Sequence, residues 1–405
     1  MTETAARYPF PPTSPEQAVE NYRQVIADRP MTKVTFPFGG DGWIIHRHQA
    51  AKEMLQNPNF VRGPFARGER EVPFFVQFPD FLKTTLQFAD PPDHTRLRKL
   101  VVKAFTARRV ARLREGTSRI ADELLDGMVA HGAPANLVEH FSLPLPIRVI
   151  SELLGVPSSD QDKFIEWSKS TLATSGMTEE EILEAGAQLY GYLSELIAAR
   201  RAEPRDDLLS ALATARDKDD SLTDEEILPV AMLLIVAGFD NTANFINLSV
   251  LSLLRNPDQL RALLADIDGV AATAVEEVLR HGHFTAGEKV NGLGSLVPYV
   301  ATEDVEIDGT LIRKGEAVAI DPASTNHDPK AFDAPGVFDI TRESNPHLTL
   351  NHGLHHCLGA PLARMEMQVA LTTLFGRLPT LKLAGEPEYA SEFLTAGMQV
   401  LPLAW

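Results

Sequence analysis

Residues 350–359 read LNHGLHHCLG, and residues 360–366 continue with APLARME. The first segment is rich in glycine and histidine, and it holds Cys357, the only cysteine of the 405-residue chain. The second segment consists mainly of good helix formers, with Pro361 where a first helical turn tolerates proline. Cys357 therefore lies just ahead of a predicted helix N-terminus, where free N–H groups and the helix dipole favour a thiolate over a thiol.

A lone thiolate at a helix start has three interpretations. It suits a single metal with an open face, and haem iron is the leading candidate. A buried structural cysteine is the ordinary alternative for an isolated cysteine. A zinc site is the third, although ligands so closely spaced are awkward for a tetrahedron. Its ligands would be His352, His355, His356 and Cys357.

The GxHxCxG pattern of residues 353–359, followed by AxLxR at residues 360–364, resembles the haem-binding loop of cytochrome P-450 enzymes. That family loop usually opens with Phe-Gly, whereas this chain has Leu350 and Asn351 in those places. The resemblance extends over nearly the whole chain and points to the soluble bacterial branch of secondary metabolism. It implies haem b as the cofactor, with the sulfur of Cys357 as the iron ligand.

The resemblance also implies a mainly α fold with a small β region, in which residues 1–405 form one haem domain. Composition agrees with a globular protein, since 44% of the residues are hydrophobic and 23% are charged. Residues 1–30 contain no apolar run long enough for a signal peptide or a membrane anchor. One cysteine excludes an internal disulfide, which predicts a reducing cytoplasm. The net charge of −17 argues against general nucleic-acid binding.

Residues 94–114 form a basic segment without an acid in an otherwise acidic protein. Its cations are Arg96, Arg98, Lys99, Lys103, Arg108, Arg109, Arg112 and Arg114. The plain interpretation is a solvated helix face. In the resembling family this helix lies where the electron donor docks, so an acidic ferredoxin would be steered there. The overlapping DPPDHTRLR matches the start of the family's helix C, and His94 and Arg98, one turn apart, are predicted to bind a haem propionate.

Residues 60–88 carry aromatic side chains without a helical or strand period, interrupted by proline and glycine, which predicts a structured loop. The aromatic residues are Phe60, Phe65, Phe74, Phe75, Phe78, Phe81 and Phe88. The segment is either a packed surface flap or an apolar wall over a pocket. In the resembling family it is the B–C loop, which covers the substrate. Phe393-Leu394-Thr395, at the C-terminal turn, is a second segment predicted to touch the substrate.

A long helix is predicted over residues 223–254, starting with a capping box from Thr223 to Glu226. It is apolar nearly all round, so it should run through the interior, and its polar interruptions argue against a membrane span. Burying Asp240 and Asn241 would cost free energy unless both are hydrogen-bonded. Both are therefore candidate site residues.

The AGFDNT segment at residues 237–242 resembles the oxygen-activation segment of the family's helix I. Gly238 is expected to leave room for oxygen beside the haem, and Asp240 is the expected proton source. Asn241 stands in the place of the usual proton-relay threonine, and Thr242 lies about 100° further round the helix. Asparagine orients water or dioxygen but cannot relay a proton as a hydroxyl does. We hypothesise that ordered water or a polar group of the substrate completes the relay.

Two further features are predicted, the first from the resemblance and the second from the sequence pattern. Glu277-x-x-Arg280, which alone would be a commonplace surface ion pair, resembles a buried Glu-Arg-Arg core that Arg342 completes, and we assign it to folding and haem retention. Residues 301–320 read as short strands with a hairpin turn at Asp308-Gly309.

Tyr299 stands where the family commonly places a propionate-binding arginine, so it offers a hydrogen bond but no ion pair. His355 is the remaining predicted propionate donor, whereas its neighbour His356 is predicted to be structural.

The predicted function is that of a haem-thiolate monooxygenase, which uses dioxygen and two electrons to oxidise a C–H or N–H bond. The resemblance implies a mid-sized, largely apolar natural-product intermediate as the substrate. An oxidative cyclase or coupling enzyme is the alternative among enzymes, and Asn241 fits it. A haem sensor without turnover is the alternative among binding proteins. The sequence has no nucleotide-binding glycine motif, so ferredoxin and ferredoxin reductase would be separate proteins.

Overall fold

The computed structural model of the chain describes residues 6–7, 29–74, 83–105, 107–171, 177–217, 220–285, 297–390 and 397–405. The chain divides into two compact units that alternate along the sequence. The first comprises Met1–Asp90, Leu251–Leu263 and Ala272–Cys357, and the second comprises Pro91–Val250, Leu264–Ala271 and Leu358–Trp405. That residues 1–405 form one haem domain stays a prediction.

Helices make up most of the regular structure. They are α1 (His48–Gln56), α2 (Gly63–Ala66), α3 (Asp93–Ala104), α4 (Ala107–His131), α5 (Pro144–Leu154), α6 (Gln161–Thr171), α7 (Glu179–Ala202), α8 (Leu208–Thr214), α9 (Asp224–Gly238), α10 (Asp240–Arg255), α11 (Pro257–Ala265), α12 (Ile267–Thr285), α13 (Pro322–Thr325) and α14 (Ala360–Arg377). The prediction of a mainly α fold with a small β region is confirmed.

A six-stranded mixed sheet forms the β region of the first unit. In spatial order its strands are β1 (Ala6–Arg7), β2 (Met31–Thr35), β3 (Asp41–Ile45), β11 (Ala317–Ile320), β8 (Tyr299–Ala301) and β4 (Phe60–Val61). Strands β2 and β3 pair antiparallel, whereas β3 and β11 pair in parallel with Ile45 opposite Ile320. The core beside this sheet contains Ile45 of β3, Met54 and Leu55 of α1, and Leu348. This packing brings α1 and the segment before residue 350 together.

The predicted hairpin lies between β9 (Val305–Ile307) and β10 (Thr310–Ile312). Asp308 and Gly309 form its two-residue turn with φ angles of 45° and 75°. A turn of this length needs left-handed backbone, which glycine and aspartate adopt more readily than other residues. The hairpin prediction is confirmed.

The Glu-Arg-Arg cluster is present as predicted in the first unit. Glu277 and Arg280 of α12 are both fully buried, and the guanidinium donates to the carboxylate at 2.6 and 2.8 Å. Arg342 Nε donates to the same carboxylate at 3.2 Å. Asn345 Nδ2 and the backbone N–H of Asp339 add hydrogen bonds at 3.0 and 2.9 Å. One buried carboxylate therefore fastens residues 339–345 to α12.

The second unit is mostly helical. Its strands are β5 (Ala135–Asn136), β6 (Arg216–Asp217), β7 (Asp220–Ser221), β12 (Lys382–Leu383), β13 (Glu388–Ala390), β14 (Gly397–Val400) and β15 (Pro402–Ala404). Helix α14 packs along α4, and α7 packs against α6, α8 and α9. Asp207 caps α8 by accepting a hydrogen bond from the backbone N–H of Ser210 at 2.7 Å.

The predicted long helix is formed by α9 and α10, which are separated by Phe239 alone. Thr223 and Glu226 make the predicted capping box at its start. Within the described part of the chain, Asp224–Arg255 is the stretch long and apolar enough to cross a membrane, and 61% of its most apolar window is buried. A core helix of a water-soluble protein meets the same criterion, so this is weak evidence for a span.

The segment at residues 60–88 contains regular structure, because Phe60 belongs to β4 and Phe65 to α2. Phe65, Phe74 and Phe88 are fully buried, and the rings of Phe65 and Phe88 meet edge to face at 6.3 Å. These side chains pack in the core. The remaining aromatic residues of the segment, Phe75, Phe78 and Phe81, lie outside the described residues.

Candidate active site

Cys357 lies three residues before a helix, at the end of the loop of residues 350–359 (the cysteine loop), as the sequence predicts. The backbone N–H of Cys357 donates to the carbonyl of Leu350 at 2.8 Å, and the residue is half-buried. Helix α14 begins at Ala360, with Pro361 in its first turn. Asn351 has a φ of 61°, a left-handed backbone that asparagine tolerates better than most residues. Asparagine can therefore occupy a position where the family loop commonly has glycine.

Gly353 is required for the close approach of this loop to α1. Its φ is 67°, and a Cβ on it would lie 2.7 Å from the carbonyl oxygen of Leu55. His352 Nε2 contacts Gln56 Nε2 at 2.9 Å, also at the end of α1. In the described ranges, no three His, Cys, Asp or Glu side chains are placed to hold a metal ion. The arrangement therefore gives no support to the zinc alternative.

Tyr299, Asn351 and His355 lie together in the first unit. The rings of Tyr299 and His355 meet edge-on with their centroids 5.8 Å apart. Asn351 Nδ2 donates to the hydroxyl oxygen of Tyr299 at 3.5 Å. Both rings are buried, Tyr299 on β8 and His355 in the single turn Gly353–His355. Two of the predicted propionate donors are thus neighbours in the structure.

Arg62 joins this group, although no pattern in the sequence singles it out. Its guanidinium carbon lies 4.1 Å from the centroid of the Tyr299 ring. The side chain is fully buried and donates to the carbonyls of Gln87 at 3.1 Å and Val297 at 2.9 Å. Only the position of Tyr299, where the family commonly has an arginine, could have prompted a search for a cation nearby.

His94 and Arg98 lie one turn apart on α3 in the second unit, as predicted. His94 is fully buried, and Arg98 is partly exposed. Arg96, between them, donates to the carboxylate of Glu226 at 2.8 and 3.3 Å and pairs with Asp220 at 3.1 Å. Arg96 therefore ties α3 to the first turn of α9.

The junction of α9 and α10 brings the predicted oxygen-activation residues together. Asn241 Nδ2 donates to the carbonyl of Ala237 at 3.1 Å, and the hydroxyl of Thr242 donates to the carbonyl of Gly238 at 2.7 Å. Side chains that bond to carbonyls four residues back compete with the helix ladder and bend helices. Two consecutive bonds of this kind lie at the point where the predicted single helix is interrupted, next to Phe239.

Asp240 and Asn241 differ in exposure. Asp240 is buried, with 8% of its surface exposed, and this burial raises the pKa of its carboxyl group to about 7. A carboxyl with that pKa can both hold and release a proton near neutral pH. Asn241 was expected to be buried but is partly exposed.

Gly238 has a packing role that the sequence does not reveal. A Cβ on Gly238 would lie 2.5 Å from Cδ1 of Ile150, a residue of α5. The absence of a side chain therefore makes room for Ile150. Space for oxygen at Gly238 stays a prediction.

Comparison with known proteins decides the family. The family model described as cytochrome P450 matches residues 147–279 and 289–387, more than half of the chain. The chain belongs to the cytochrome P450 family. This P450 is 42% identical to mycinamicin IV hydroxylase/epoxidase of Micromonospora griseorubida over 411 residues, covering 100% of both chains. It is also 42% identical to nocardicin C N-oxygenase of Nocardia uniformis subsp. tsuyamanensis over 409 residues, again covering 100% of both chains.

Solved structures agree with this assignment. The structure of the mixed-function P450 MycG matches the chain with a TM-score of 0.91 and 40% identity, covering 99% of this P450 and 100% of that chain. The LnmA cytochrome P450 hydroxylase of Streptomyces atroolivaceus matches with a TM-score of 0.86 and 37% identity, covering 99% and 100%. The resemblance to bacterial P450s of secondary metabolism is confirmed, and the protein is a P450 monooxygenase.

The P450 family implies a haem-thiolate cofactor, small-molecule substrates, dioxygen and redox partners. The donor set of the first unit fits such a group. Cys357 offers the chain's sole thiolate ahead of a helix N-terminus. The Tyr299 hydroxyl accepts from Asn351 but donates to no acceptor in the described chain, and Arg62 Nε is buried without a hydrogen-bond partner. The available Tyr299 hydroxyl, next to the loop that presents the thiolate, suits an acidic group of a haem. The buried Arg62 adds a positive charge behind that hydroxyl.

The positive charge of the basic segment is partly neutralised by an acid from another part of the chain. Arg109 and Arg112 pair with Asp206 at 3.6 and 2.6 Å. Arg114 donates to the amide oxygen of Gln368 at 2.6 Å. The side chain of Arg108 lies outside the described residues, as does the predicted substrate segment at residues 393–395. Lys99 and Lys103 are exposed on α3.

Proposed function

We propose that this P450 oxidises a C–H or N–H bond of a mid-sized, largely apolar natural-product intermediate with dioxygen and two electrons. Two relatives that align over the full length of the chain support a natural product as the substrate. One is named for hydroxylation and epoxidation of mycinamicin IV, and the other for N-oxygenation of nocardicin C. Both names describe the transfer of oxygen to a natural product, at carbon for the first relative and at nitrogen for the second.

The cofactor in this proposal is haem b with the Cys357 thiolate as the iron ligand. When bound, the haem supplies the activation of dioxygen, and a thiolate ligand favours O–O cleavage. His94, Arg98, Tyr299 and His355 are the residues proposed to hold the propionates. Histidine, arginine and tyrosine all donate hydrogen bonds, and a cationic donor binds a carboxylate more strongly than a neutral one does.

The observation that carries the proposal is the buried carboxyl of Asp240 at the junction of α9 and α10. Oxygen activation consumes protons, and a carboxyl with a pKa near 7 can deliver them at neutral pH. Asn241 is proposed to orient water or dioxygen, because its amide can donate and accept but cannot relay a proton. The Thr242 hydroxyl already donates to Gly238, so water or a substrate group completes the relay.

Electrons in this proposal come from a ferredoxin and a ferredoxin reductase in the cytoplasm. The exposed lysines Lys99 and Lys103 on α3 give the donor a positive face, and an acidic ferredoxin is the complementary partner. Arg96 connects the same helix to Glu226 at the start of α9.

Oxidative cyclisation or coupling is the second candidate. It is favoured by Asn241, which stands where the family usually has the proton-relay threonine. Such a reaction removes two hydrogens from the substrate, whereas hydroxylation adds one oxygen. The mass of the product therefore separates the two reactions. Mycinamicin IV and nocardicin C are the first compounds to test, each by its shift of the haem absorption from low to high spin.

Three measurements test the proposal. The reduced protein with carbon monoxide should show the absorption band of a thiolate-ligated haem, and Cys357→Ala should lose it. An Asp240→Asn variant should keep the band but lose turnover by about 100-fold, since general acid catalysis contributes on this scale. A wild-type protein without the band overturns the haem site. Unchanged turnover in Asp240→Asn overturns the role of Asp240.

A further inference from the structure

Arg62 is a buried cation without a carboxylate partner in the described chain. None of its surface is exposed, and its two Nη groups donate to neutral carbonyls of Gln87 and Val297. Its Nε is buried and has no hydrogen-bond partner among the described residues. Asp90 is the acid nearby, but its two oxygens accept from the backbone N–H groups of Arg62 at 2.8 Å and Gly63 at 2.6 Å. A buried charge in such surroundings costs free energy unless an anion is close.

The Tyr299 ring carries the effect of this charge toward the cysteine loop. The guanidinium lies over the ring face, with its central carbon 4.1 Å from the centroid. A cation on the face of a ring is attracted by its π electrons and draws electron density from them. The hydroxyl at the far end of the ring therefore becomes a stronger hydrogen-bond donor.

The Tyr299 hydroxyl is ready to donate to an incoming group. It accepts from Asn351 Nδ2 at 3.5 Å, and its own proton is given to no acceptor in the described ranges. The ring edge of His355 lies beside it. Asn351 and His355 both belong to the loop that presents Cys357, so an anion bound here would lie close to that loop.

We propose that Arg62, acting through Tyr299, supplies the positive charge that holds one haem propionate in this chain. The inference rests on the proposed haem site and adds a residue to it. Arg62 is a positioning residue, because its complete burial keeps it from touching the propionate itself. Position 299 on β8 holds no cation in this chain, and Arg62 lies next to β4, which pairs with β8.

The test compares haem with haem dimethyl ester, whose propionates carry no charge. Wild type, Arg62→Gln and Arg70→Gln are loaded with either cofactor, and cofactor transfer to excess apomyoglobin is timed. Arg70 is the matched control because it too donates to two backbone carbonyls, those of Asp41 and Gly315. Haem should leave Arg62→Gln about tenfold faster than wild type. Mutation of a residue that supports a ligating group typically weakens binding on this scale. With the ester the difference should fall to about twofold or less.

The outcomes separate a charge effect from a structural one. Equal acceleration with haem and with the ester would show that Arg62 only fastens the carbonyls of Gln87 and Val297, which overturns the inference. No acceleration in Arg62→Gln, or the same acceleration in Arg70→Gln, overturns it as well.

Two further variants keep the test open if Arg62→Gln does not fold. Arg62→Lys keeps the charge but loses the planar stacking and the paired hydrogen bonds of arginine, so it should release haem less than about tenfold faster than wild type. Tyr299→Phe removes the donor and should accelerate the loss of haem but not of the ester. Equal loss of both cofactors from Tyr299→Phe overturns the inference. A wild-type protein without the thiolate band refutes the proposed haem site, whereas failures in the variants alone refute only the role of Arg62.

Discussion

The hydroxyl of Thr242 donates to the backbone carbonyl of Gly238 at 2.7 Å, one turn earlier and across the junction of α9 and α10. Asn241 makes the corresponding bond to Ala237 at 3.1 Å. The two polar side chains that follow Asp240 are thus engaged with the backbone, while the Asp240 carboxyl is buried with a pKa near 7. This division of roles makes Asp240 the group most able to exchange a proton at the junction.

Replacing Asn241 by threonine tests whether the relay needs a hydroxyl at this position. A threonine there is expected to bond to the carbonyl of Ala237, as Thr242 bonds to Gly238, which would occupy its proton. The fraction of electrons that appears in product should therefore stay within about twofold of wild type or fall. Product formed per NADPH consumed is the measurement, with Asn241→Ala as the control. A large gain in coupling would contradict the hypothesis that water or substrate completes the relay.

The stability of the protein should depend on pH through Asp240. Burial raises the pKa of its carboxyl group from 3.8 to about 7, so the folded state binds the proton more tightly than the unfolded state. This contribution is complete below pH 4 and is lost as the pH rises toward 7. Relative to Asp240→Asn, wild type should lose on the order of 3 kcal/mol of unfolding free energy between pH 5 and pH 8.

Urea unfolding at both pH values measures this effect. Asp258→Asn is the control, because Asp258 is highly exposed and should show little change. If the difference between wild type and Asp240→Asn were the same at pH 5 and pH 8, the raised pKa of Asp240 would be refuted.

Local features of the fold were predictable from sequence, and contacts between distant residues were not. Asp308-Gly309 predicts its own turn because the conformation depends on those two residues. Hydrophobic periodicity does not reveal the interruption of the long helix at Phe239, nor the bonds of Asn241 and Thr242 to carbonyls one turn back, because it reports only which residues face the core. Arg62 meets Gln87 and Val297 from 25 and 235 positions away, so no spacing rule could identify it.

Removing the charge of Glu277 should destabilise the first unit strongly. Glu277→Gln leaves the fully buried Arg280 without its anion, which typically costs about 3–5 kcal/mol. Arg342→Gln should cost less, about 1–2 kcal/mol, because Glu277 keeps its pair with Arg280 and Arg342 lies nearer the surface. Urea unfolding compares both with Glu276→Gln, whose carboxylate contacts His347 and is partly exposed. Equal urea unfolding midpoints for the Glu277 and Glu276 variants would contradict a central role of the cluster in the stability of the protein.

Reversing the charge of Lys99 and Lys103 tests the docking face on α3. Both side chains are exposed, so Lys99→Glu/Lys103→Glu should raise the KM for ferredoxin several-fold at low salt while kcat at saturating ferredoxin stays unchanged. The effect should shrink at high ionic strength, because a Debye length of about 3 Å at 1 M salt screens charges across an interface. Lys382→Glu, at an exposed lysine of strand β12, serves as the control. An equal rise in KM for the control, or a rise that salt does not reduce, would place the donor elsewhere on the protein.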